Sequence, residues 1–302
     1  MQHLRNRSSR LLWGFCGLCL LLAAWPLAAL DRDAFTFTRY SLTASIRPAE
    51  HGFDAHGRLE LRNDSTSPQQ QLALQISSSL SWKQILLADG QEVSYITQPY
   101  TSDIDHTGAL EEAVITLPQA IPPGGSIALE VSYAGEISRE SGRLTRIGAP
   151  DNMALASDWD EIRERFGAVR GLGYVTWYPV SIEAVSLSEG TTVFAALERW
   201  KQRHQQTSLQ VTLSLALGPA AGPLSLVTNG RATEVAGKEA PQPGFSSSRG
   251  ARLTATTVRA EFPAGSTPVF AFGEFVKLER PALTVLHAPE HGSAAQDYAE
   301  SA

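Results

Sequence analysis

The residue types of a zinc peptidase motif occur near the end of the sequence. His287 to His291 has the form His-x-x-Glu-His, which binds zinc when both imidazoles project from one face of a continuous helix. Pro289 lies inside the motif, where it lacks an N–H and disfavours a helical conformation at Ala288, and Gly292 follows directly. This local sequence is typical of a strand end and a loop. We therefore predict two solvated loop histidines here and no zinc site.

Other catalytic patterns are missing from the sequence or incomplete. There is no His-Glu-x-x-His motif, no phosphate-binding glycine loop and no complete Gly-x-Ser-x-Gly elbow. Two acidic pairs, Glu111 with Glu112 and Asp158 with Asp160, have the chemistry for acid–base catalysis. Nothing in the sequence brings them together in one cleft, so we expect solvated carboxylates. No catalytic, metal-binding or cofactor-binding residue is predicted on this chain.

Tyr174, Trp177, Tyr178 and Pro179 form the most distinctive aromatic cluster in the sequence. Aromatic rings beside a proline can form a platform on which a carbohydrate stacks, or a packed corner where a strand ends. Side chains of this size usually bury themselves, which favours packing. The sequence leaves both roles open, and these four residues are our candidate binding or packing cluster.

The elements that must position such residues are mainly strands. Apolar residues occupy every second position from Leu209 to Leu217, the pattern of a half-buried strand. Similar runs occupy residues 40–46, 72–76, 113–117, 127–133 and 269–276. Turn signals, at which Gly or Asn is expected to supply positive φ, lie at Asp89-Gly90, residues 122–125 and Asn229-Gly230. The prediction is an all-β fold: a large antiparallel β-sandwich or saddle with one or two short peripheral helices.

Three segments carry helix signals, and one segment has the composition of a loop. Ser157 followed by Asp160 resembles an N-cap with an acidic first turn. A second helix is predicted from Thr191, and a capping-box pattern at Ser293 and Gln296 predicts a third that begins there. Residues 239–250, rich in proline, glycine and serine, predict a mobile surface loop.

Charge and hydropathy indicate where the protein is located and which partners it does not bind. The 302 residues carry a net charge of -6, which argues against a nucleic-acid partner. Arg5, Arg7 and Arg10 precede an apolar stretch, so residues 1–30 are predicted to be a signal peptide, with an uncleaved signal anchor as the alternative. Both cysteines, Cys16 and Cys19, lie in that stretch. We predict an exported protein, which is periplasmic, extracellular or anchored to a membrane only through the uncleaved segment.

Six fragments follow one another along most of the sequence in an order and spacing that suggest a family. They are Tyr40 to Pro48, Phe53 to Leu61, Ile121 to Tyr133, Trp177 to Pro179, Val227 to Gly230 and Thr267 to Phe275. In this order they resemble the N-terminal domain of the aminopeptidase N-like (gluzincin) zinc metallopeptidases. The resemblance implies a saddle-shaped β-domain that packs against a thermolysin-like catalytic domain and helps to wall the peptide-binding cleft.

Two departures from the family pattern affect what the resemblance implies. Val180 to Ala184 replaces the Cys and the Asp-Glu-Pro stretch that normally follow the Trp-Tyr-Pro block. The family's Gln or Glu that helps to hold a substrate amino terminus would fall near Arg170, and this sequence has no such residue there. The resemblance divides the chain into the β-domain at 34–286 and, at 287–302, the truncated start of a following catalytic domain.

The leading functional hypothesis is a non-catalytic scaffold and cleft-wall domain of an exported zinc metallopeptidase. Its expected partners are a missing or separate catalytic domain and a peptide substrate. Zinc belongs to the full-length family, and this chain alone is predicted to be inactive. The alternative is a free-standing exported β-sandwich module that binds a glycan or a protein through Trp177 and Tyr178.

Overall fold

Sixteen strands in four sheets are present among residues 30–217, 224–235 and 254–302, which the computed structural model describes. The seven-stranded sheet contains β1 (Phe35–Arg47), β2 (Gly52–Asn63), β4 (Leu80–Leu87), β7 (Ser126–Glu136), β10 (Ser208–Leu217), β12 (Arg231–Glu234) and β13 (Thr254–Phe262). The three-stranded sheet contains β3 (Gln69–Ser77), β5 (Ser94–Thr101) and β6 (Ala109–Ile121). The four-stranded sheet contains β8 (Glu161–Ile162), β9 (Phe166–Val169), β11 (Ser225–Thr228) and β14 (Phe270–Gly273), and β15 (Val276–Arg280) pairs with β16 (Leu283–His287). The predicted all-β class is confirmed.

β1 lies at the centre of the seven-stranded sheet, whose order is β12-β13-β10-β1-β2-β7-β4. The apolar residues Leu42, Ala44 and Ile46 alternate along β1 and are buried, as the period of a strand requires. β2 pairs antiparallel with both β1 and β7. β1 and β10, however, pair in parallel. Parallel neighbours need a long crossover, and here β2 to β9 lie between them in the sequence.

One hydrophobic core joins the sheets. It includes Leu59 and Tyr133 from the seven-stranded sheet, Leu74 and Ile115 from the three-stranded sheet, and Phe270 from the four-stranded sheet. The three larger sheets bury apolar side chains in this core, which is how antiparallel sheets form a sandwich, whereas β15 and β16 contribute no buried residue. The predicted sandwich architecture is therefore present.

The predicted turns have mixed outcomes. Gly90 and Gly124 adopt φ values of 86° and 75°, as predicted for Asp89-Gly90 and residues 122–125. Both turns join strands of different sheets, and Leu86 and Glu92 form an isolated antiparallel bridge across Asp89-Gly90. The expectation of positive φ at Asn229-Gly230 is wrong, because neither residue has it. The Asn229 side chain instead ties down its loop by accepting a hydrogen bond from Val269 N at 2.9 Å.

Four α-helical segments accompany the sheets in the described ranges, more than the one or two predicted. They are α1 (Gly142–Thr145), α2 (Asp151–Ser157), α3 (Thr192–Arg203) and α4 (Gly292–Ser301). The predictions of α3 and of a helix near the end of the sequence are confirmed. No side chain caps α4, and the helix begins one residue before Ser293, so the predicted capping box is wrong. α4 packs on the β15–β16 hairpin, and the boundary at residue 286 stays a prediction.

The helix predicted to begin at Ser157 is also wrong. Ser157 is the last residue of α2, and its hydroxyl donates to the Ala154 carbonyl at 2.8 Å. Asp158 is extended, and its carboxylate accepts from the backbone N–H groups of Glu140 and Asp160. The capping chemistry of the Ser-Asp pair is therefore used to end one helix and to bind a neighbouring loop, and not to start a new helix.

Two predicted segments lie outside the described residues. These are the signal peptide or anchor, except for its last residue, and the loop at 239–250. The chain divides into two units, Met1–Asp31 and Arg32–Ala302, and the second contains all the elements named above. Among the described helices, none combines the length and the apolar character needed to cross a membrane.

His204, directly after α3, is buried in its neutral form. Its Nδ1–H donates to the Trp200 carbonyl at 2.7 Å, and its Nε2 accepts from Phe37 N at 3.3 Å. Burial lowers the pKa of His204 to about 4 from an ordinary 6.5, against a smaller opposing effect of the Trp200 carbonyl. Because the folded-state pKa is depressed, the stabilisation is complete above pH 6.5 and is lost as the pH falls through 4.

A His204→Gln variant should therefore remove one source of acid sensitivity. We compare the free energy of unfolding of the wild type with that of the variant. The difference between the two should shrink by roughly 3 kcal/mol between pH 7 and pH 4, which is the energy equivalent of this pKa shift. Urea unfolding at several pH values measures it. His56→Gln, which alters an exposed histidine of β2, is the matched control and should retain the wild-type slope. Equal slopes for His204→Gln and wild type would contradict the buried neutral imidazole.

Candidate binding site

The structure buries three of the four residues of the predicted aromatic cluster. Trp177 and Tyr178 are 0% exposed, and Pro179 is buried with them. The rings of Phe53 and Phe270 pack against Trp177 at centroid separations of 5.8 and 5.4 Å. These residues therefore pack in the core, where the aromatic rings meet edge to face.

Two tyrosines of the seven-stranded sheet fix the path of this segment. Tyr40 Oη donates to the Pro179 carbonyl at 2.9 Å, and Tyr133 Oη donates to the Trp177 carbonyl at 3.0 Å. Burial raises the pKa of both tyrosine hydroxyls, so both stay protonated as donors. A ring without exposed surface cannot stack on a carbohydrate. The buried part of the cluster therefore has a packing geometry and not the geometry of a binding platform.

Tyr174, the fourth residue, lies on the surface with 40% of its area exposed. Its ring centroid is 3.5 Å from Arg170 Cζ, and the centroid of Trp159, which is 48% exposed, is 3.9 Å from the same atom. A guanidinium group is attracted to the face of an aromatic ring. Tyr174 is among the residues predicted from the sequence, whereas Trp159 and Arg170 are not, because no local pattern shows that both rings face the same guanidinium.

A buried ion pair between His106 and Asp158 lies beside this surface. His106 Nδ1 and Asp158 Oδ2 are 2.7 Å apart, with side-chain exposures of 1% and 7%. Burial by itself would lower the pKa of His106, but the hydrogen bond to Asp158 and the charges of Asp105 and Asp160 outweigh it and raise the pKa. Burial likewise opposes ionisation of Asp158, yet the contact with His106 keeps its pKa below the ordinary value. The pair is thus held in a polar, charged environment.

Arg170 holds the neighbouring carboxylate. Its guanidinium contacts both oxygens of Asp160. Nε and Nη2 donate to Oδ2 at 2.9 and 2.5 Å, and the backbone N–H of Arg170 donates to Oδ1 at 2.6 Å. Asp160 is 0% exposed. The expectation of solvated carboxylates is therefore wrong for Asp158 and Asp160. Each gains a cationic partner that lies at least ten residues away, which local sequence cannot reveal.

The expectation of solvated carboxylates is also wrong for Glu112, which lies in the three-stranded sheet. It is 0% exposed, and Arg32 Nε and Nη2 donate to its two oxygens at 2.7 and 3.0 Å. Gln75 and Gln98 also donate to it, each at 2.8 Å. Burial opposes ionisation, but these four hydrogen bonds lower the pKa of Glu112. Glu112, which lies on β6, therefore connects the segment before β1 with β3. It has no catalytic geometry.

A small cavity opens beside His106. It has a volume of about 60 Å³ and is lined by His106, Glu140, Arg143, Leu144, Ser157, Asp158, Arg170 and Tyr174. His106 Nε2 is buried and has no hydrogen-bond partner among the described residues. A buried polar atom without a partner costs about 1–3 kcal/mol, so it marks a place where a ligand atom or a water is favoured.

Three backbone segments shape this cavity. His106 N donates to the Tyr174 carbonyl at 2.6 Å, which joins the loop before β6 to the segment after β9. Gly173 has a φ of 100°, a conformation that favours glycine, and its N–H donates to the Ile104 carbonyl at 3.1 Å. Arg143 of α1 donates to the Gly173 carbonyl at 2.7 Å. The cavity wall is therefore held by hydrogen bonds to main-chain carbonyls, which connect distant segments.

The His-x-x-Glu-His segment has no zinc-site geometry. His287 is the last residue of β16, and His291 ends a 3-10 turn. The two imidazoles therefore do not share one helical face, as that motif requires. His287 Nδ1 instead donates to the Ala288 carbonyl at 2.7 Å. In the described part of the chain, no group of three or more His, Cys, Asp or Glu side chains could hold a metal ion.

Comparison with known proteins gives matches to solved structures alone. The sequence matches no protein-family model and no curated protein. The M1 zinc metallopeptidase from Deinococcus radiodurans matches at 13% identity and a TM-score of 0.43, covering 88% of this chain and 52% of that one. Native yeast LTA4 hydrolase matches at 11% identity and a TM-score of 0.46, covering 89% of this chain and 34% of that one.

The matched protein from Deinococcus radiodurans is a zinc metallopeptidase, the class that the six sequence fragments resemble. The chain spans about half the length of that metallopeptidase and about a third of the yeast hydrolase. Identities of 11% and 13% assign no activity to this chain.

Proposed function

We propose that this chain provides a non-catalytic scaffold domain that packs against a zinc peptidase domain and forms one wall of its peptide-binding cleft. The observation that carries the proposal is where the family-like fragments lie. Tyr40, Tyr133, Trp177 and Phe270 come from four different fragments, and all four meet in one core region. The family-like fragments therefore supply residues that pack the core of the β-domain. Packing residues support a scaffold role, because they determine a fold and touch no substrate.

The chain's own residues do not fit the zinc of the proposed partner. A catalytic zinc site needs three protein ligands and an open position for water. The described residues offer no such group, and the two imidazoles of the His-x-x-Glu-His segment lie on a strand and a 3-10 turn. In this proposal the metal and the general base belong to the partner domain.

The exposed apolar surface suggests where the partner docks. Half of the twelve large hydrophobic side chains exposed in the described ranges lie within residues 147–174; they are Ile147, Met153, Leu155, Trp159, Phe166 and Tyr174. Aromatic residues, Met and Arg are enriched at protein interfaces. Trp159 and Tyr174 already share the guanidinium of Arg170, which makes them a rigid anchor. We place the docking surface here.

Export belongs to the same proposal. Residues 1–30 have the basic start and apolar core of a signal peptide or anchor. A partner peptidase domain must then be exported as well, whether it is continuous with this chain or separate. The peptide substrate meets this chain only at the cleft wall.

Co-expression tests the docking. The chain is produced with each His-Glu-x-x-His polypeptide encoded in its own genome, and complexes are measured by size-exclusion chromatography with light scattering. We expect one of them to form a one-to-one complex with this chain. A double Trp159→Ser and Tyr174→Ser variant should weaken that complex by about tenfold or more, as expected for interface anchors.

The control is Phe194→Ser, which removes from α3 an aromatic side chain that is more exposed than Trp159 or Tyr174. It should leave the complex unchanged. If no such polypeptide binds, or if both variants weaken the complex equally, the docking proposal is wrong. Binding of an oligosaccharide by the monomeric chain would instead support the free-standing binding module.

A further inference from the structure

His106 has one ring nitrogen without a partner in a place where solvent is largely excluded. Nδ1 is bound to Asp158 at 2.7 Å, while Nε2 has no partner among the described residues, and the side chain is 1% exposed. Packing alone does not require a histidine with this geometry. An unpartnered, buried nitrogen that borders a polar cavity marks a position that a ligand atom or a water would fill.

The cations on the cavity wall differ in whether they are already neutralised. Arg170 is paired with Asp160 through two contacts of its guanidinium. Arg143 forms no ion pair with any described carboxylate; its Nη1 donates only to the carbonyls of Gly173 and Asp103. Arg143 therefore keeps donors and a positive charge for a ligand.

The charges around His106 come from every element that packs on it. Asp105 belongs to its own loop and is bound by Ser77, Thr107 and Thr176. The segment after α2 supplies the paired Asp158 and Asp160, and the cavity wall adds Arg143, Arg170 and Glu140. The Glu140 carboxylate forms no ion pair within the described residues. With His106 protonated, the residues that line the cavity carry three positive charges and two negative charges; Asp160, which Arg170 binds, and Asp105 are not part of this lining.

We propose that this cavity binds a carboxylate group, with Arg143 as its ionic partner and the Nε2–H of protonated His106 as its second donor. A metal cation is disfavoured because two guanidinium groups line the same space. A volume of about 60 Å³ equals about two water molecules, so only the carboxylate head fits and the rest of the ligand extends outward. This proposal rests on no peptidase partner, although Arg170 and Tyr174 belong both to the cavity wall and to the proposed docking surface.

Binding at this site is coupled to a proton. The ligand's negative charge favours the charged imidazole, so the bound carboxylate raises the pKa of His106 beyond the effect of Asp158. By linkage, the affinity must fall as the pH rises, by about tenfold for each unit above the pKa of the free site. A simple surface arginine site would not show this dependence.

Nitrogen-15 NMR of the His106 ring tests the proposal with acetate as the probe and acetamide as its neutral control. We expect acetate, and not acetamide, to raise the His106 pKa in the full chain. Arg143→Gln should weaken acetate binding about tenfold, as loss of a charge-assisted contact does. Glu140→Gln should strengthen it, because this change removes a repelling carboxylate that no described contact uses.

Arg165→Gln alters an exposed arginine between β8 and β9 that does not line the cavity, and it should change nothing. N-acetylglycine and its amide identify the source of the carboxylate: tighter binding than acetate indicates the C-terminus of a peptide, and equal binding indicates a free small acid. A His106 pKa that ignores acetate, that shifts equally with acetamide, or that responds unchanged in Arg143→Gln overturns the proposal and leaves the cavity as a water site.

Discussion

Trp177→Ala is expected to lower the free energy of unfolding by about 4 kcal/mol, the usual cost of removing a large aromatic side chain from a core. Trp177 is fully buried and packs against Phe53, Tyr178 and Phe270. The cavity left behind cannot close, because the Trp177 carbonyl is held by Tyr133. Urea unfolding followed by far-ultraviolet circular dichroism measures the effect.

Trp159→Ala is the matched control. This tryptophan is 48% exposed, and its principal described contact is with the Arg170 guanidinium. Its loss should cost about 1 kcal/mol or less, the size of a cation–π contact near the surface. If Trp177→Ala were no more destabilising than Trp159→Ala, Trp177 would not be a core residue and the platform role would return.

Glu112→Gln is expected to lower the free energy of unfolding by about 3 kcal/mol, because removing one charge of a buried pair leaves the other without compensation. Glu112 is fully buried, while Arg32 keeps 16% of its side-chain surface exposed. The change also turns one acceptor oxygen into an NH₂ donor facing Gln75 or Gln98. Equilibrium urea unfolding at pH 7 measures the loss.

A double-mutant cycle with Arg32→Met isolates the pair. The double variant should be less destabilised than the sum of the two single variants, because it leaves neither charge unpaired. Glu111→Gln, at the neighbouring position of β6, is the control and should change stability by about 0.5 kcal/mol or less. Additive single effects would show that the ion pair makes no stabilising contribution of its own.

The sequence predicted the strands well because each signal lies within the strand itself. Alternation at 209–217 and 127–133 reflects a strand with one buried face, and β10 and β7 lie there. The parallel pairing of β1 with β10 has no such local signal, since the two strands come from distant parts of the sequence. At Ser157 and Asp160 a local signal is present but misleading. The residues have a capping pattern, yet no helix begins there, because Asp158 is held by its contact with His106.

The candidate site was predicted only in part for the same reason. Aromatic residues at 174–178 are visible in the sequence, but the direction of each ring depends on the sheets around it. The charged cavity consists of pairs such as His106 with Asp158, 52 residues apart, and Arg170 with Asp160. A short Asp-x-Asp sequence predicts solvated acids unless the distant cations are known.

Metal binding by the chain tests the central claim, a scaffold without its own catalytic zinc, most directly. The purified chain is saturated with zinc and dialysed, its metal content is measured by mass spectrometry, and its hydrolysis of aminoacyl-anilides is followed. We predict no stoichiometric zinc and no hydrolysis above that of a His287→Ala, His291→Ala double variant. One tightly held zinc per chain, with hydrolysis that disappears in this double variant, would contradict the account.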